Sequence, residues 1–185
     1  LLAREPELTV TGVELQPQAC ALFRRTAEEN GLQGRMHCLE GDLRQGLLPP
    51  GRFRLAVANP PYFPPGAGAV APDAARRTAR AETDCTLSQL CAAAARALTW
   101  GGSFCLVHRP DRLADVLGEL RRVRLEPKRL RFVHHTAAAP PSLFLLEARL
   151  GGGVGLTVEP PLLLHGPDGG ETEDVRRAYF RDKEE

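Results

Sequence analysis

The stretch LAVANPPYF, Leu55 to Phe63, runs from an apolar β-prone segment straight into an asparagine, two prolines and two aromatic rings. Neither proline has an N–H to give a sheet, and each pushes the residue before it into extended backbone. Asn59 and Pro60 are therefore held extended, with carbonyl oxygens left over from the ladder. Such a pair suits a ligand that has hydrogens to donate, and Tyr62 and Phe63 offer faces to a flat ring. A purely structural role would leave the combination of Asn59, Pro60, Pro61 and an aromatic residue without a reason.

The flanking sequence alternates strands with helices. Upstream, Thr9–Leu15 is a short strand ending in an acid, and apolar residues at Ala19, Leu22, Phe23 and Ala27 predict a helix after Pro17. Arg35–Asp42 is a second strand ending in an acid, and Phe53–Ala58 a third. Pro64–Arg80, rich in Pro, Gly, Ala and Arg, is expected to be a mobile loop turning helical near Ala74. Helices follow at Leu87–Leu98 and Arg112–Val123, with strands at Gly101–Arg109, Arg129–Val133 and Ser142–Leu150. The last two strands are close enough to form an antiparallel pair. Gly151–Gly153 reads as a flexible joint or a turn, Leu156–His165 as an edge strand, and the stretch from Glu171 as a marginal helix or a frayed tail.

This order spells an α/β fold, an open and mostly parallel sheet closed by a C-terminal antiparallel hairpin. Ligands of such sheets sit beyond the carboxyl ends of the strands. Glu14, Asp42 and Asn59 each fall at one of those ends. An acid after the second strand of a nucleotide-binding sheet can accept from both ribose hydroxyls. Asp42 could accept from an adenine amino group while the Leu43 N–H meets a ring nitrogen. The plainer alternatives are a solvated strand-end acid for Glu14 and a turn cap for Asp42.

The 185 residues fit one domain, taken as 1–165, with 166–185 as an acidic tail. Seven acids and four bases lie from Gly166 onward, leaving 20 bases against 16 acids in the body. That mild excess is compatible with nucleic acid. Arg76, Arg77 and Arg80 could grip phosphates, with Arg109, Arg112, Lys128, Arg129 and Arg131 extending the surface. The five cysteines form no CxxC, and the adjacent His134 and His135 would point to opposite faces of a strand, so no metal is expected. No apolar run has membrane-helix length and no signal peptide is read, so the expected setting is cytoplasmic, with a monomer favoured.

The spacing of Glu14, Asp42 and NPPYF resembles the S-adenosylmethionine-dependent methyltransferases that modify amino groups. More narrowly the chain is similar to the bacterial tRNA (adenine-N(6))-methyltransferases of the valine tRNA and to methyltransferase small-domain proteins. The likeness continues through TGVELQPQACALFRRTAEENGL, RRTARAE, GGSFCLVHRPDRLADVL, EPKRLRFVHH and VEPPLLLHG, which covers nearly the whole chain. It implies a Rossmann-like class I methyltransferase sheet and S-adenosyl-L-methionine as cofactor. Glu14 would bind its ribose, Asp42 and Leu43 its adenine, and Asn59 the cofactor side of the target amine. Asn59 and Pro60 would receive that amine, Tyr62 would stack on a turned-out base, and Pro61, Phe63, Arg77 and Arg80 would line the substrate side. The implied partner is nucleic acid, tRNA near the anticodon.

Two enzyme alternatives keep the chemistry and change the acceptor, to a release-factor glutamine amide or to DNA adenine. A third reading is a noncatalytic remnant that binds RNA or a partner. The family's first strand and glycine-rich turn have no counterpart before Glu14, and the chain opens on LLAREPELTV without a Met. The expectation is an N-terminally truncated domain. A gap of roughly 5 Å would flank the missing strand on each side, with weak cofactor binding by the chain as given.

Overall fold

The computed structural model describes residues 2, 5–60 and 85–179. They divide between two compact units, one of residues 1–49 and 68–93, the other of residues 50–67 and 94–185.

In the first unit, β1 (Val10–Glu14) and β2 (Met36–Glu40) pair in parallel, joined by α1 (Pro17–Glu29). Pro17 opens α1, where its missing N–H costs nothing, and Asn30 and Gly31 close it, with Gly31 at φ 65°. Cys20 and Ala27 are buried. Gly12 makes close helix packing possible: a Cβ there would come within 3.2 Å of the Phe23 ring on α1.

The second unit is a six-stranded sheet in the order β3-β4-β6-β5-β7, with β8 also paired to β5. Its strands are β3 (Phe53–Ala58), β4 (Leu98–His108), β5 (Leu125–His134), β6 (Pro141–Leu150), β7 (Thr157–Val158) and β8 (Leu162–Leu163). The helices of this part of the chain are α2 (Leu87–Ala97), within which the division between the units falls, α3 (Leu113–Arg122) and α4 (Glu173–Ala178). β3 and β4 are parallel, β4, β6 and β5 form the expected antiparallel run, and β7 and β8 lie parallel to β5.

Strand alternation sets the core. Phe104, Leu106, Leu130, Phe144, Leu146 and Ala148 point to one face and are buried, in cross-strand register Phe104–Ala148, Leu106–Leu146 and Leu130–Leu146. α3 covers β5 with its buried Val116 and Leu120. Each such side chain contributes about 1.5–3 kcal/mol on leaving water.

The expected open sheet is thus present in two pieces. Among the described residues β1 pairs only with β2, and β3 only with β4, so each sheet ends on an open edge. Other differences are local. β4 begins at Leu98, directly off α2, and β5 at Leu125, because the register shift between Pro127 and Arg129 lets the ladder absorb a proline. The expected edge strand is two short ones, broken at Pro160 and Pro161. The stretch after Gly166 folds onto the sheet: Thr172 caps α4, Val175 is buried and Asp174 pairs with Arg131 at 2.5 Å.

Gly151 belongs to a tight turn. Its φ is +68°, its N–H donates to the Arg124 carbonyl at 2.8 Å, and Trp100 lies where a Cβ would go, 2.2 Å away. Arg124 in turn stacks over Trp100, 4.7 Å from the ring centre. Gly151→Ala is expected to cost about 1–3 kcal/mol of stability, from strain and overpacking combined. Gly153, with open space around it, is the control. Urea denaturation should separate the two variants by that amount.

Candidate active site

The carboxyl ends of β1 and β2 lie side by side. Glu14 pairs with Glu40 in register, and the Gly41 N–H donates to the Glu14 carbonyl at 2.8 Å, carrying the parallel pairing one residue beyond β2. Gly41 is at φ +147°, and a Cβ would meet Leu47 Cδ1 at 2.7 Å, so glycine is favoured at this turn. The turn delivers Asp42 next to the end of β1.

Glu14 is half-buried, and one carboxylate oxygen accepts the Gln16 N–H at 2.8 Å. That bond fixes the carboxylate and leaves its second oxygen to accept elsewhere. Asp42 opens a short 3-10 turn, Leu43–Gln45, and accepts the Arg44 N–H at 2.8 Å. The Arg44 guanidinium also binds both Asp42 oxygens, at 2.8 and 2.9 Å from Nε. Those bonds, side chain first and backbone second, hold the Asp42 carboxyl below the usual carboxylate range. The turn cap is the plainer alternative read for Asp42; Arg44 was not anticipated, and an arginine two residues after a strand-end aspartate was the available signal. Leu43, first in the turn, has no intrahelical acceptor for its N–H.

This donor set fits a purine nucleoside. Two carboxylates can accept hydroxyl and amino hydrogens, and a backbone N–H can meet a ring nitrogen. Glu14, Asp42 and Leu43 are the residues that would hold the nucleoside end of S-adenosyl-L-methionine.

In the second unit β3 stops at Ala58, opposite Leu106, and Asn59 and Pro60 follow without strand structure. The stop is where the prolines place it. Asn59 is exposed and Pro60 half-buried. Pro61, Tyr62, Phe63, Arg76, Arg77 and Arg80 lie outside the described residues.

His108 closes β4, the strand parallel to β3, and went unremarked in the sequence. It is 3% exposed, stacked on Phe144 at 6.2 Å, and its Nδ1 accepts the Arg109 N–H at 2.8 Å. The neutral ring therefore carries its proton on Nε2. Burial first, and then the Arg112 charge, push its pKa below the ordinary 6.5.

The bases expected to extend a phosphate-binding surface are engaged. Arg109 pairs with Asp111, Arg112 with Asp115, Arg129 with Glu147 and Glu159, and Arg131 with Asp174, while Lys128 donates to the Gly153 carbonyl. A cleft of about 370 Å³ beside Ala58, lined by Cys105, Leu145, Arg129, Arg131 and Glu147, contains the same satisfied pairs. Among the described residues no group of three or more His, Cys, Asp or Glu could hold a metal, and no helix is long and apolar enough to cross a membrane.

The fold is the Rossmann-like fold of methyltransferases. A predicted O-methyltransferase from Agrobacterium tumefaciens superposes with a TM-score of 0.75 at 20% identity, over 94% of this chain and 77% of that one. Geranyl diphosphate C-methyltransferase from Streptomyces coelicolor, solved with S-adenosyl-L-homocysteine, gives 0.57 at 13% identity, over 80% and 64%. No family model matches the chain.

By sequence the chain is homologous to tRNA1(Val) (adenine(37)-N6)-methyltransferases. It is 31% identical to the one from Porphyromonas gingivalis over 153 residues, 80% of this chain and 59% of the relative. The Yersinia enterocolitica enzyme is 34% identical over 116 residues, 62% of this chain and 45% of the relative. A release factor glutamine methyltransferase from Deinococcus radiodurans is 36% identical over 128 residues, 65% and 44%. The chain thus spans about half the length of these relatives.

The lowered His108 pKa has a signed consequence. Above pH 6.5 the ring is neutral in folded and unfolded chains alike; on acidification the unfolded chain takes up the proton first. Stability held above pH 6.5 is therefore lost as pH falls through the folded-state value. His108→Asn, whose amide oxygen can replace Nδ1 as acceptor, is expected to flatten the fall in thermal midpoint between pH 7 and pH 5.

Proposed function

We propose that this chain is the core of an S-adenosyl-L-methionine-dependent methyltransferase acting on the exocyclic amino nitrogen of adenine in tRNA. The acceptor would be adenine 37, the position named for its relatives. The observation that carries the reading is the similarity to the Porphyromonas enzyme over 153 residues. The strand ends support it chemically.

The bound cofactor supplies a methyl group on a sulfonium, already activated for transfer. Glu14 would accept from the ribose hydroxyls, and Asp42 and the Leu43 N–H would read the adenine edge. For Asp42 this means sharing its oxygens with Arg44, which keeps the carboxylate ionised and fixed. On the acceptor side, an adenine amino nitrogen is a weak nucleophile because its lone pair is delocalised into the ring. The Asn59 side-chain oxygen and the Pro60 carbonyl would each accept one amino hydrogen, which favours a pyramidal nitrogen with a more available lone pair. Positioning and fixed dipoles supply the rate enhancement, and no strong general base is required. Tyr62 stacks on the base and Pro61, Phe63, Arg77 and Arg80 complete the substrate side. A base so presented must be turned out of its stack. The protein acts in the cytoplasm, as a monomer.

The Deinococcus relative favours a second reading, a glutamine amide, which offers the same two hydrogens to the same two acceptors. Labelled cofactor incubated with separate tRNA, DNA and release-factor pools distinguishes the readings. Label is expected in tRNA; label confined to the protein pool overturns the RNA assignment. Asn59→Ala should lower turnover about 10²–10³-fold, the usual effect of removing one preorganised hydrogen-bonding group. Asp42→Ala should weaken cofactor binding in calorimetry while leaving the fold intact by circular dichroism.

A further inference from the structure

Between α1 and the β1–β2 sheet lie two thiols with no part in methyl transfer, Cys20 on the helix and Cys38 on β2. Gly12, Cys38 and Glu40 share one face of that sheet, Gly12 and Cys38 as cross-strand partners and Cys38 and Glu40 two residues apart. α1 covers them in order: Phe23 over Gly12, Arg24 against Glu40 at 3.6 Å, and Cys20, one turn before Arg24, against Cys38. The Cys38 thiol is a neighbour that raises the Cys20 pKa, and the Cys20 thiol donates to the Glu14 carbonyl at 3.4 Å. Cys20 is wholly buried and Cys38 is half-exposed.

We infer that Cys20 and Cys38 form a redox-active dithiol, closed to a disulfide by low-molecular-weight disulfides of the glutathione class. Cys38 is the point of entry. Its thiolate attacks one sulfur of the reagent, forming a mixed disulfide and releasing one thiol, which carries away a proton. Cys20 then loses its proton to solvent and attacks the Cys38 sulfur, expelling the second thiol. The protein gives up two electrons and two protons; one reagent disulfide becomes two thiols. Burial first, then the Cys38 thiol and the Glu40 charge, hold Cys20 up at about 11 against the opposing Arg24 charge, which makes Cys20 a poor first nucleophile.

Closure joins α1 to β2 covalently and removes the S–H donor from the Glu14 carbonyl. Thiol state is thereby tied to the strand end that presents Glu14. The chemistry is separate from the proposed methyl transfer and is tested without it.

The folded protein is treated with oxidised glutathione, quenched in acid, alkylated and mapped by peptide mass. The expected product is a Cys20–Cys38 linked peptide lighter by two hydrogens, reopened by dithiothreitol. Cys20→Ser should arrest at a mixed disulfide on Cys38, and Cys38→Ser should leave Cys20 unmodified in the folded state. The wild-type map decides the matter even where a variant fails to fold. Stable glutathione on Cys38 with Cys20 still alkylated after unfolding would overturn the inference. So would a bridge through Cys85, Cys91 or Cys105, or no reaction at either residue.

Discussion

A single backbone hydrogen bond, from the Gly41 N–H to the Glu14 carbonyl, sets the geometry of the proposed cofactor side. It extends a parallel ladder past the formal end of β2 and brings two carboxylate-bearing chain ends alongside each other. The bond favours glycine at position 41, whose φ of +147° is one that side chains rarely adopt. With the strand ends fixed, the Gln16 N–H locks Glu14 and Arg44 locks Asp42. The polar groups are positioned by local backbone contacts before any ligand arrives, which reduces the ordering that binding must impose.

The second unit achieves rigidity differently. Its antiparallel run puts apolar side chains opposite one another in register, Phe104 with Ala148, Leu106 with Leu146 and Phe132 with Phe144. Around this core most charges are matched locally, Arg129 to two carboxylates and Arg131 to one. A surface neutralised in this way holds its own side chains and has little charge left for a polyanion.

Much of the fold was legible because apolar period and proline placement agreed. α1 was marked by its spacing and Pro17, β3 by a β-prone run halted at Asn59, and the hairpin by two apolar runs close in sequence. The boundaries that moved had physical causes. β5 starts ahead of the expected Arg129 because a register shift accommodates Pro127, and β4 starts ahead of the expected Gly101 because Leu98, which its apolar spacing assigned to the preceding helix, pairs with Phe53. The division of the sheet followed from pairing partners, which no local pattern encodes. The placement of Glu14, Asp42 and Asn59 at or just past strand ends was legible because each follows an apolar β-prone run. His108 was hidden because a histidine after an apolar strand gives no sign of burial, and Arg44 because its role depends on the turn Gly41 makes.

The packing of Trp100 against Gly151 and Arg124 also decides what light can report. Trp100 is the sole tryptophan of the chain, and the unit of residues 1–49 and 68–93 has neither tryptophan nor tyrosine. Intrinsic indole emission is therefore a spectroscopic probe of the six-stranded sheet alone, blind to the melting of β1, α1 and β2. A denaturation curve followed at that wavelength and one followed by far-ultraviolet dichroism will coincide only if the two units lose structure together.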